Sequence, residues 1–98
     1  MVVVLFRSKL REPAAGYSAM AEEMEELART MPGFVEVKAY QSADGERLTV
    51  VWWENEETLK QWRDHARHRV AQRTGRAEWY EYYKMDVAQV VRTSSFDR

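Results

Sequence analysis

The run Leu48-Thr49-Val50-Val51-Trp52-Trp53-Glu54-Asn55-Glu56-Glu57-Thr58-Leu59-Lys60-Gln61-Trp62 constrains the fold more than any other stretch of the chain. In an extended backbone Leu48, Val50 and Trp52 share one face, and Thr49, Val51 and Trp53 share the other. A strand that is apolar on both faces has to be covered on both. Asn55 then suits a helix N-cap, and Glu56 and Glu57 suit the positive end of the helix dipole that follows. Leu59, Trp62 and Ala66 recur at helical spacing, with Val70 a turn further on. Three of the four tryptophans lie in this run, where they either line a pocket or fill a core.

The flanking chain supplies the cover. Residues 2–10 read as a strand, with Val2, Val4, Phe6 and Leu10 on one face and Val3 and Leu5 on the other. Glu12-Pro13 is expected to open a helix, because proline suits the first helical position. Tyr17, Met20, Met24, Leu27 and Met31 form its apolar stripe, with Glu22, Glu23, Glu25 and Glu26 on the solvated side. Pro32-Gly33 stops it. Residues 34–41 form a second strand. Asp44-Gly45 signals a hairpin into a third at 47–54. The helix after Asn55 becomes basic (Arg63, His65, Arg67, His68, Arg69, Arg73, Arg76), and Gly75 breaks or bends it. Trp79, Tyr80, Tyr82 and Tyr83 cluster beyond, and residues 84–92 form the last strand.

The order β-α-β-β-α-β predicts an α+β, ferredoxin-like domain spanning residues 1–98, an antiparallel sheet with helices on one face. The other sheet face is rich in Val, Leu and aromatics, and two sheets packed across a two-fold axis would cover it. The chain itself, as a homodimer, is therefore one expected partner. Net charge is −1, which gives no support for a general attraction to nucleic acid or membrane. Cysteine is absent, which removes thiolate chemistry and suits a reducing cytoplasm. Arg7 and Lys9 interrupt the apolar start at once, so it reads as neither signal peptide nor membrane span.

Residues 50–62, the segment His65-Ala66-Arg67-His68-Arg69-Val70-Ala71-Gln72-Arg73, and Phe34 following Met31-Pro32-Gly33 together resemble the antibiotic biosynthesis monooxygenase domain family. The resemblance covers nearly the whole chain. It implies a dimeric α/β barrel of two ferredoxin-like chains. It also implies oxygenation of a small aromatic or quinol-like metabolite by O2, with no cofactor. A non-catalytic dimeric binding or stress-response protein is the alternative from another class. Haem-degrading members use an asparagine on the first strand, a tryptophan on the second main helix and a histidine about ten residues further on. Trp62 matches the tryptophan, but the asparagine position falls near Arg7 and the histidine position near Ala71 or Gln72.

Chemistry without a cofactor needs an apolar pocket and a group that moves a proton. Trp62 and His65 are the candidate catalytic residues. Arg7, Tyr40, Trp52, His68 and Tyr83 are candidates for binding the substrate. Histidine titrates near neutrality, and Arg7 is a charge in an apolar strand. Packing remains the competing role for the tryptophans, helix capping for the histidines and ion pairing for Arg7. His65 and His68 are three apart and lack further ligands at zinc spacing, so no metal site is expected.

Overall fold

The computed structural model describes residues 1–98, except for the side chain of Ala66, whose expected place in the apolar stripe lies outside the described residues. Four strands form one antiparallel sheet in the order β2-β3-β1-β4. They are β1 (Val2–Leu10), β2 (Phe34–Gln41), β3 (Arg47–Trp53) and β4 (Tyr80–Gln89). The helices are α1 (Tyr17–Arg29), α2 (Glu56–Arg63) and α3 (Ala66–Thr74), with a π-helical turn at Gly75–Trp79. The architecture is ferredoxin-like, with the second helical segment divided.

Strand register sorts every side chain to one of two faces. Val2, Val4 and Phe6 pair with Trp53, Val51 and Thr49, while Val37 and Ala39 pair with Val51 and Thr49. This face meets the helices. Val2, Val4, Ala28, Trp53 and Trp62 form its buried core, packed against Met24, Leu27, Met31, Phe34 and Leu59. The other face carries Val3, Leu5 and Arg7 against Trp52, Val50 and Leu48, and among the described residues no helix covers it. Val50 is buried there by its neighbours alone, and Tyr40 is half exposed.

Several boundaries differ from expectation, and three of the differences have a clear local setting. The first helix starts at Tyr17 rather than at Pro13. Gly16 caps it with φ +85°, and the indole of Trp79 donates to the Ala15 carbonyl at 2.9 Å, which holds the preceding residues in a loop. The second helix stops at Asp64, and His65 adopts an extended backbone before the chain re-enters a helix at Ala66. The last strand runs Tyr80–Gln89 rather than 84–92, so three of the clustered aromatics belong to it. A register shift between Lys9 and Leu10 places Tyr80 and Tyr83 on the same sheet face. Asn55 caps α2 as expected, its Oδ1 accepting from Thr58 N–H at 2.8 Å. Among the described residues no helix is long and apolar enough to cross a membrane.

The turn between α1 and β2 depends on a glycine. Gly33 has φ +81°, and a Cβ there would lie 2.4 Å from the Thr58 side chain. Gly45 has φ +91° but nothing within 4 Å. A non-glycine residue in the left-handed region costs about 1–3 kcal/mol. Gly33→Ala should therefore lower the unfolding free energy by about 3 kcal/mol or more, since the clash adds to the strain, and Gly45→Ala by only about 1 kcal/mol. Urea unfolding of the two variants checks the difference, and equal losses would contradict it.

Candidate functional site

The helices do not close completely on the sheet. Between them lies a cavity of about 550 Å³, bounded by the helix-facing residues of all four strands and by α1, α2, α3 and the π-turn. Met85 and Val87, on the helix-facing side of edge strand β4, line it and remain 49% and 45% exposed, so the cavity opens along that edge. Its walls are mostly apolar, with aromatic groups concentrated at two ends.

One end is built on Trp53. This side chain is fully buried, with Phe34 edge-on at 5.7 Å and Trp62 stacked at 6.2 Å between centroids. His68 continues the stack, lying 4.4 Å from Trp62 at an interplanar angle of 14°. The Nδ1 of His68 is 3.1 Å from the Trp62 carbonyl oxygen. A carbonyl can only accept, so Nδ1 carries the proton and Nε2 holds the lone pair of the neutral ring. Nε2 has no partner among the described residues, and no side-chain nitrogen or oxygen there is both buried and unpartnered. Nε2 is therefore accessible. Burial pushes the His68 pKa below its ordinary value, helped by the nearby His65, while the bonds to the Trp62 and Arg63 backbone oppose the shift. The result is a neutral imidazole with one nitrogen ready to take a proton.

The other end gathers Phe6, Tyr17, Trp79, Tyr80 and Tyr83. Phe6 stacks on Tyr83 at 5.3 Å and meets Tyr80 edge-on at 5.7 Å, and Tyr17 meets Trp79 and Tyr80 edge-on. Gly75 is needed here for space. A Cβ on it would sit 2.6 Å from the Tyr80 ring, so the π-turn packs its backbone directly on the aromatic floor. Burial raises the Tyr80 pKa, so its hydroxyl stays protonated throughout the neutral range.

The structure divides the residues singled out from sequence. Trp62, His68 and Tyr83 line the cavity. His65 does not. Its Nδ1 accepts from Arg67 N–H at 3.1 Å and so caps α3, although its ring lies 6.0 Å from Trp62. Arg7, Tyr40 and Trp52 fall on the uncovered face of the sheet, where Tyr40, Leu48, Arg7 and Lys84 pair in one row across the strands. The partner of Trp62 across the core is Trp53. Also missed were Gln72 and Arg76, which line the cavity together with His68 at steps of four. That spacing was visible in the sequence, hidden among arginines that point elsewhere. One of these, Arg67, forms a two-pronged ion pair with Glu23 at 2.7 and 2.9 Å, which joins α3 to α1.

A family model of antibiotic biosynthesis monooxygenases matches residues 1–74. The uncharacterized protein YqjZ of Bacillus subtilis (strain 168) is 40% identical over 93 residues, covering 95% of this chain and 82% of that one. Rv0793 from Mycobacterium tuberculosis superposes with a TM-score of 0.84 at 20% identity, over 96% of this chain and 98% of that one. SnoaB, a cofactor-independent oxygenase from Streptomyces nogalater, superposes with a TM-score of 0.78 at 13% identity, over 94% of each chain. The two structures show a shared fold.

The depressed His68 pKa links stability to pH. The unfolded chain takes up this proton near the ordinary value of 6.5, and the folded chain only at lower pH. In that window the unfolded state binds more protons, so stability is full above about pH 6.5 and falls as pH drops through the folded value. Urea midpoints at about pH 7.5 and 5.5 should show this decline, and His68→Asn, which can still donate to the Trp62 carbonyl, should lack it. The same decline in the variant would assign the effect elsewhere.

Proposed function

The chain belongs to the antibiotic biosynthesis monooxygenase family, and on that premise we propose that it is a cofactor-independent monooxygenase acting with O2 on a small aromatic or quinol-like molecule. The observation that carries this reading is the placement of His68. A neutral imidazole with an accessible Nε2 stacks on Trp62 at the wall of an apolar cavity large enough for a planar molecule. That SnoaB, which shares the fold, is described as a cofactor-independent oxygenase adds support of a weaker kind.

In this reading the substrate supplies the electrons. A ring methylene flanked by aromatic rings, as in an anthrone, loses a proton to Nε2 of His68. The resulting carbanion is delocalised over the rings, and Trp62 and Trp53 supply a flat apolar wall for it. One electron passes from the carbanion to O2, giving superoxide and a carbon radical, which combine to a peroxide. Loss of water from the protonated peroxide leaves a carbonyl, so that CH2 plus O2 gives C=O plus H2O. The protein positions the rings, excludes water and moves a proton. His68 is the general base, taking the place expected for His65. Trp62 and Tyr83 bind the substrate.

We also propose that the uncovered sheet face meets the same face of a second copy. Val3, Leu5, Leu48, Val50 and Trp52 form an apolar patch there, and Tyr40 and Arg7 extend it. On this assignment Arg7, Tyr40 and Trp52 serve the dimer and leave substrate binding to the opposite face.

Two outcomes test the reading. His68→Asn should lower O2 uptake with an anthrone by about a hundredfold or more, and Trp62→Phe by about three- to tenfold, with the circular dichroism of the fold retained. Unchanged uptake in the His68 variant would remove its role as base. At micromolar concentration the protein should elute as a dimer, and Leu5→Glu should shift it to monomer. A wild-type monomer would contradict the proposed interface.

A further inference from the structure

The arginines near the cavity fall into two groups. Arg67 is paired with Glu23, and Arg63 and Arg69 lie 3.8 and 3.6 Å from Asp64. Arg47 and Arg76 both line the cavity, and neither has a carboxylate within ion-pair distance among the described residues. Each rests on a tyrosine instead. The Arg47 guanidinium lies 5.9 Å from the centroid of Tyr17. Arg76 Nε donates to the Tyr83 hydroxyl at 2.8 Å, and its guanidinium lies 5.8 Å from that ring's centroid. A tyrosine ring can place such a cation without pairing it with a carboxylate. The acidic residue of the lining, Glu25, is bonded to Arg29 at 3.0 Å.

The placement of these cations is not incidental to the cavity. His68, Gln72 and Arg76 are each four residues apart, and all three line it. From His68 to Thr74 α3 rises about 9 Å, so the stripe runs from the imidazole at one end to the guanidinium in the π-turn beyond it. Polar side chains turned toward an otherwise apolar cavity leave donors without protein partners. Tyr83 uses Nε of Arg76 and leaves its terminal nitrogens unbonded among the described residues. Arg47 is half-buried on β3, on the same sheet face. A guanidinium fork matches a carboxylate in shape and charge better than it matches a neutral oxygen.

We propose that the ligand of this cavity is an aromatic acid, its carboxylate held by Arg76 and Arg47 at the tyrosine end and its ring system lying along Gln72 toward Trp62 and His68. This rests on the reading of the cavity as the substrate site and adds the class of substrate. The two arginines set specificity and take no part in moving the proton.

Calorimetric titration of the intact protein with naphthoic acid and with its neutral amide tests the charge requirement without any turnover. At low salt the acid should bind about tenfold more tightly than the amide, and the difference should shrink as salt screens the exposed Arg76. Arg76→Gln and Arg47→Gln should each reduce the preference to about threefold or less, and Arg76→Lys should keep part of it. No binding of the acid, equal affinity for acid and amide, or an undiminished preference in both Gln variants overturns the proposal. Should Arg76→Gln fail to fold, the wild-type comparison and Arg47→Gln decide it. The oxygenase reading fails separately. Selective binding of the acid with no O2 uptake from any anthrone, acidic or neutral, removes the monooxygenase and leaves the anion site. Equal uptake from neutral and acidic anthrones removes the anion site and leaves the monooxygenase.

Discussion

The stack of Trp53, Trp62 and His68 joins the three parts of the molecule that have to meet. Trp53 belongs to the sheet, Trp62 to α2 and His68 to α3. Burying aromatic rings of this size contributes several kcal/mol each, which outweighs any single hydrogen bond nearby. The break at Asp64 and His65 becomes intelligible from this stack. A continuous helix would carry residue 68 around the axis, away from the ring it now covers. The chain instead leaves the helix, and the side chains of Asn55 and His65 each cap the helix that follows. The caps satisfy backbone donors that the break would otherwise leave open.

Packing and chemistry are not separable at this point. The Trp62 carbonyl, which accepts His65 N–H at 3.1 Å where α2 ends, also receives His68 Nδ1–H. That second bond selects the tautomer with a basic Nε2. Burial against Trp62 then keeps the ring neutral. A histidine placed in this way needs no carboxylate behind it to act as a base near neutral pH. Among the described residues none of the ion pairs reaches it: Arg67 pairs with Glu23, and Arg63 and Arg69 with Asp64.

Much of the fold could be read from residue order because binary patterns repeat along each element. The two-sided apolar strand at 48–53, the cap at Asn55, the Asp-Gly hairpin and the methionine stripe of α1 all translate directly. The site was less legible, for two reasons. Face assignment needs register, and register is a property of strand pairs: nothing within Trp52-Trp53 says which indole meets the helices. It is the pairing of Val2 with Trp53 that decides. The choice between His65 and His68 likewise turned on a helix break that no glycine or proline marks. Arg7 and Tyr40 were drawn toward the pocket by their chemistry, yet each pairs directly with Leu48 across the sheet, which puts them on the opposite face.

This sorting by parity leaves both faces of a small sheet free to serve different ends. Alternate residues of β1, Val4 and Phe6 against Val3 and Leu5, supply the cavity wall and the uncovered patch respectively. A change on one face therefore acts on the other only through the backbone they share. The cavity is closed by elements that belong to one chain: three helices, a π-turn and the helix-facing half of each strand. Its open side runs along the edge strand β4, at Met85 and Val87. An aromatic ligand entering there would cover exposed apolar surface of that edge as it reached the stack. Such a ligand would supply what the chain's own helices do not, a cover over the last strand. Loss of Arg47 and Arg76 would leave that apolar contact unchanged, so in the proposed site charge would add selection among flat ligands to the binding that the apolar walls supply.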